Sequence, residues 1–298
     1  MMGGMDGGMR EAAPVPRRTP YELAFGAGVF EADRFPAIRE EAEARGVEAS
    51  DPARFVLLGT VGALLQELAP ESAESGAGGV TEASAVARYG ALLFQAYQFW
   101  RFGRRVYVLE ERLARRLVDP GLRVGEWALV PPHPAGYLQL PRHLFWARIE
   151  EAATPEPVDG FFWTMVGVED PFAPPYRRLD VLLVLGMRAG RPGFSTIAVG
   201  TELVSAPLGH WADADGRPDG GDFGNILPGG ELQDWFGLVT EVEALKLVSR
   251  IFWYMAVHPD AVTEEVRLPE GGAGVGEVVP ATALPFHRVR EVSRAAGS

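Results

Sequence analysis

The chain changes its hydrophobic rhythm part-way along. Over residues 19–120 apolar positions recur every three or four residues, as on a helix with one buried stripe. From about residue 125 they alternate every second residue, the repeat of strands. Residues 1–18, rich in Gly, Met and Pro, read as a flexible tail. A helix starts at Asp33 or Pro36, runs through Glu40 to Arg45 and stops at Gly46. Ser50, Asp51 and Pro52 open the next one, since a short polar side chain caps free N–H groups and proline suits a first turn. Phe55, Leu58, Val61, Leu65 and Leu68 stripe that helix, and Pro70 ends it. After a loop at 72–79, residues 82–102 carry Tyr89, Leu92, Leu93, Ala96, Phe99 and Trp100 over a wide arc, which predicts a helix central to the fold. Residues 105–109 read as a continuation of it or as a short extended link. Residues 110–118 are helical again, closed by Asp119, Pro120 and Gly121.

Strands are predicted at 126–130, 137–140, 144–150, 160–168, 178–187 and 194–204. In the third, Phe145, Ala147 and Ile149 face one way while Trp146, Arg148 and Glu150 face the other, as in a sheet with one covered face. Strands in succession, without helices between them, predict antiparallel meander pairing, with residues 189–193 as the hairpin loop joining the last two. A Gly-, Pro- and Asp-rich loop at 205–231 precedes a strong helix at 232–257, expected to lie across the sheet. The expected fold class is therefore α+β: a helical region (19–120) and an antiparallel sheet with a late covering helix (121–266), joined in one compact unit. Residues 267–298 are expected to be extended segments and a tail.

Composition narrows the chemistry. At 298 residues and 47% apolar, the chain can bury a large core. With no cysteine, it has no disulfides, thiolate metal sites or cysteine nucleophiles. Lys246 is the only lysine, so nearly every basic residue is an arginine and no phosphate-cradling lysine exists elsewhere. A net charge of -12 argues against duplex nucleic acid as a partner. No apolar stretch reaches the roughly 18–20 residues of a membrane span, and the first ten residues have no signal-like apolar run. These features predict a cytoplasmic protein with no membrane partner.

Candidate sites are few. The five histidines are scattered, with no metal-binding spacing. The loop from Asp213 to Gly224 has the acidic and glycine content of a calcium loop but the wrong register, with Gly216 fourth and Arg217 fifth, so no metal is expected. Arg101, Arg104, Arg105, Arg112, Arg115 and Arg116 cluster in sequence. On one continuous helix Arg101 and Arg112 would share a face three turns apart, a dock for acidic groups. Asp180, inside an apolar strand on the face of Leu182 and Val184, and Glu202 on the partner strand are the candidate catalytic carboxylates, with Asp159 and Glu150 on a neighbouring pair. Aromatic runs recur, as in Phe161, Phe162 and Trp163. Adjacent strand residues point to opposite faces, so these rings cannot share one core, and some must cover a second layer, a groove or a partner.

The leading expectation is a non-catalytic binding or assembly protein. It would engage a protein partner or itself through an aromatic sheet face (Trp146, Trp163) and an arginine-rich helix (Arg101, Arg105, Arg112, Arg116), without a cofactor. The alternatives are a metal-dependent hydrolase, such as a nuclease, built on Asp180 and Glu202, and a small-molecule binder in a groove between sheet and helix.

Overall fold

The computed structural model describes residues 17–25, 29–74, 82–119, 122, 130–141, 144, 146–147, 156–168, 176–185, 195–201, 241–266 and 285–292. Helix α1 (Pro20–Ala24) opens on a capping box: the Thr19 hydroxyl accepts from the Glu22 amide at 3.2 Å, and the Glu22 carboxylate accepts from the Thr19 amide at 2.7 Å. A π-helical turn, Phe30–Arg34, leads into α2 (Phe35–Ala44). The helix expected over residues 52–70 is two: α3 (Pro52–Phe55), capped by the Asp51 carboxylate at 2.9 Å from the Ala53 amide, and α4 (Gly59–Glu74). Phe55, Leu58 and Val61 remain buried together across the break. Pro70 does not stop α4, which continues to Glu74. The central helix is α5 (Glu82–Arg101), buried along Leu92, Leu93, Phe94, Ala96, Tyr97 and Phe99.

Strand β1 (Val106–Leu109), helix α6 (Glu111–Leu117) and strand β2 (Ala135–Gln139) follow. Then come β3 (Trp146–Ala147), β4 (Glu156–Val168), β5 (Tyr176–Leu185), β6 (Ser195–Thr201), α7 (Glu241–Val257), β7 (Val262–Val266) and β8 (Pro285–Val289). Strand β4 and the β5–β6 hairpin pair antiparallel as the alternation predicts. The expected strand at 126–130 and the helix start at 232–240 lie outside the described residues, apart from Val130 itself.

The sheet is mixed, which corrects the antiparallel expectation. Its order is β6-β5-β4-β2-β1-β8-β7, with β3 beside β4. Strand β1 runs parallel to both neighbours, β2 and β8. Parallel pairing of β1 with β2 follows from α6, a helical crossover that returns the chain in the same direction. The ambiguous 105–109 segment is thus an interior strand, and the expected extended tail supplies β8.

Both faces of the sheet are covered. Helices α1, α2, α4 and α5 pack on one face against Val106, Tyr137, Phe162, Leu182 and Phe286. Helices α6 and α7 pack on the other against Tyr107, Leu138, Phe161, Trp163 and Leu183. One-face coverage was the expectation; the second covering layer explains the aromatic run. Phe161 and Trp163 face α7 and Phe162 faces α5, all three 0% exposed. Trp163 meets Phe252 of α7 edge-on with centroids 5.2 Å apart, and Phe162 meets Phe99 of α5 at 5.7 Å.

Candidate functional site

The six arginines do not share a helix. Helix α5 ends at Arg101, and Gly103 (φ 90°) and Arg104 (φ 56°) turn the chain into β1, so Arg101 and Arg112 belong to different elements. This overturns the single stripe. Gly103 supplies a left-handed conformation at no steric cost; Arg104 adopts one against its preference. The Arg104 guanidinium meets both Glu31 carboxylate oxygens at 3.0 and 3.1 Å, and Glu31 also accepts from the Tyr21 hydroxyl at 2.5 Å. Burial pushes the Tyr21 phenol well up, reinforced by the neighbouring Glu31 carboxylate. Arg101 approaches Glu48 at 3.5 Å. Arg101 and Arg104 thus fasten the N-terminal helices to the end of α5.

Arg105 stands near two half-buried histidines. His287 stacks on Tyr107 with centroids 4.8 Å apart, and His133 lies 6.4 Å from the same ring. Burial lowers both imidazole pKa values, and the Arg105 charge adds to the effect; for His287, Glu264 opposes it. Tyr107 beside them is raised to about 12 by burial.

Helix α6 forms a ridge. Leu113, Ala114 and Leu117 anchor it in the core, while Arg112, Arg115 and Arg116 point outward. Arg112 and Arg116 grip the two oxygens of Glu291 just after β8, at 2.7 and 2.8 Å, and Arg115 pairs with Glu111 one turn back. Arg112 nevertheless keeps 83% of its side chain exposed. From beneath, the Arg250 guanidinium of α7 donates to the Leu117 carbonyl at 2.7 Å and holds the end of α6 in place.

Asp180 is half-buried in β5, opposite Thr164 on one side and Gly200 on the other, on the face packed by α5. Next to it the Thr164 hydroxyl and Gln95 side chain bond at 2.7 Å. Its proposed companion Glu202 lies outside the described residues, as do Glu150, His210 and the Asp213–Gly224 loop. Trp163 is core, its indole N–H donating to the His133 carbonyl at 3.0 Å, so no face of it is free to meet a partner. Trp146, half-buried, sits on β3 opposite Pro157.

A cluster the sequence reading did not find surrounds Asp159. A bulge between Val158 and Gly160 breaks the alternation of β4 and turns the Asp159 carboxylate to the α5 side, toward Tyr137 and Gln139. Gly160 is required there, because a β-carbon would run into the Leu138 carbonyl and the Tyr137 hydroxyl. The Tyr137 hydroxyl donates to Asp159 at 2.6 Å; its pKa is raised by burial and by that carboxylate. Arg17 completes the cluster at 2.7 Å from Asp159. The expected tail 1–18 therefore ends in an anchored residue, though residues 1–16 lie outside the description. Partners 142 positions apart leave no local sequence signal; a lone aspartate beside glycine in an apolar strand was the one hint.

The class these features define is an α+β protein with a mixed sheet between two helical layers; no described helix is long and apolar enough to cross a membrane. Among solved structures the chain resembles the crystal structure of AcrVA2, with a TM-score of 0.44 and 11% identity over 90% of this chain and 81% of that one. No family model and no curated protein matches the sequence.

Proposed function

We propose that this is a non-catalytic binding or assembly protein whose contact surface is the arginine ridge of α6. Its partner is a protein surface rich in carboxylates, a second copy of this acidic chain included. The observation that carries the reading is the exposure of Arg112 on a helix locked into the core. An anchored ridge presents planar guanidinium forks at little cost in further ordering, and such forks match carboxylates two oxygens at a time. The aromatic half of the sequence expectation contributes less, since Trp163 is spent on the core and only Trp146 stands near the sheet margin. On a chain of net charge -12, a cationic ridge also complements the remaining surface of a like molecule.

The test is R112E/R116E in the full chain, followed by sedimentation velocity over a concentration series at low and high salt. The parent is expected to associate, with itself or with a co-purifying protein, and to dissociate as salt rises. The double variant should weaken that association by roughly tenfold or more. A parent that is monomeric throughout and recovers no partner overturns the reading.

A further inference from the structure

Arg17 occupies the Asp159 cluster in the manner of a bound ligand. Its Nε lies 2.8 Å and its Nη2 2.7 Å from the same Asp159 carboxylate oxygen, and Nη2 also donates to the Leu140 carbonyl at 2.8 Å and the Asp159 carbonyl at 3.3 Å. The second carboxylate oxygen is held by the Tyr137 hydroxyl at 2.6 Å and the Gln139 amide at 3.4 Å. Gln139 also reads the backbone of Arg17, accepting from its amide at 2.8 Å and donating to its carbonyl at 3.3 Å. Asp159, Tyr137 and Gln139 are buried and stand on the paired strands β2 and β4.

We propose that Asp159, Tyr137, Gln139 and the Leu140 carbonyl form an arginine-recognition site, filled in cis by Arg17, which takes the arginine of another extended polypeptide when Arg17 is withdrawn. The chemistry selects this ligand on two counts. Only a planar fork can reach the carboxylate and the Leu140 carbonyl together; a lysine ammonium is a point charge without that span. Gln139 pairs with both backbone groups of one residue, which requires an extended chain rather than a free guanidinium. A buried carboxylate deprived of its cation is strongly disfavoured, so the emptied site gains most from a replacement of the same shape. This site is separate from the α6 ridge, and neither reading depends on the other.

The experiment uses the full chain carrying Arg17→Ala, titrated with N-acetylarginine amide and with its citrulline and lysine counterparts, followed by calorimetry and thermal melting. The arginine amide is expected to bind saturably and raise the melting temperature, with at least tenfold preference over the other two. It should do neither in the parent, whose site is occupied, nor in R17A/D159N. Should R17A fail to fold alone, recovery of its folded state by the arginine amide, and not by the citrulline or lysine amide, is the readout. Equal responses to arginine and citrulline amides, a response retained in R17A/D159N, or no response at all overturns the proposal.

Discussion

Arg104 sits in a left-handed conformation that suits glycine, and its guanidinium holds Glu31 with two bonds. The two roles are separable by substitution. Arg104→Ala removes the bridge and keeps the strained backbone, whereas Arg104→Gly removes the bridge and relieves the strain. Urea melts should find R104G more stable than R104A by about 1 kcal/mol; equal stabilities would show that the backbone there is unstrained. At this scale the sequence was legible where chemistry is local. Asp51 caps α3 as its position before Pro52 predicts, because both partners lie within two residues. Arg17 falls in a stretch, residues 1–18, whose Gly, Met and Pro content reads as a tail, and its partners stand on strands far away in sequence.

Between elements, side chains take over work that backbone caps would do. Glu41 of α2 reaches across to α4 and accepts from the Gly59 and Thr60 amides at 2.7 and 2.8 Å, with Arg45 at 3.0 Å behind it. Hydrogen bonds from the Thr60 amide and hydroxyl, then from the Gly59 amide and Arg45, hold the Glu41 carboxyl at about 2, below its ordinary 4.5. The unfolded chain therefore takes up this proton first as pH falls. The cap's contribution is complete above about pH 4.5 and is lost as pH drops toward 2. Glu41→Gln should cost about 1 kcal/mol at neutral pH, and its melting temperature should depend less on pH than the parent's between 4.5 and 2. A parallel pair of pH profiles would refute the cap. Element type was readable where one face is buried and the other wet, as in α6, whose Leu113, Ala114 and Leu117 are buried while Arg112, Arg115 and Arg116 are exposed. Strand β1 was not: its four residues, Val106 to Leu109, are all buried, which erases the alternation that marks a strand.

For the molecule as a whole, the central layer serves two cores that meet back to back across one sheet. Adjacent residues of β4 report on different cores, which allows them to be loosened one at a time. Phe162→Ala and Trp163→Ala should each cost about 3–5 kcal/mol. Hydrogen exchange should show the first relaxing α5 and the second α7, while both variants still unfold in one transition. Loss of protection in both helices from either change would mean the two cores do not behave separately. The three-layer arrangement was hidden because the sequence separates its layers unevenly: the first helices precede every strand, and pairing across the sheet is decided by contacts, not by order. The same feature sets a schedule for synthesis. Strand β8 fits between β1 and β7, so a stretch made after every other described strand supplies an inner rung of the ladder. Until it leaves the ribosome, β1 offers a bare row of amides and carbonyls to any passing strand. The growing chain must keep that gap guarded, or fill it late and fast, to escape aggregation at its own centre.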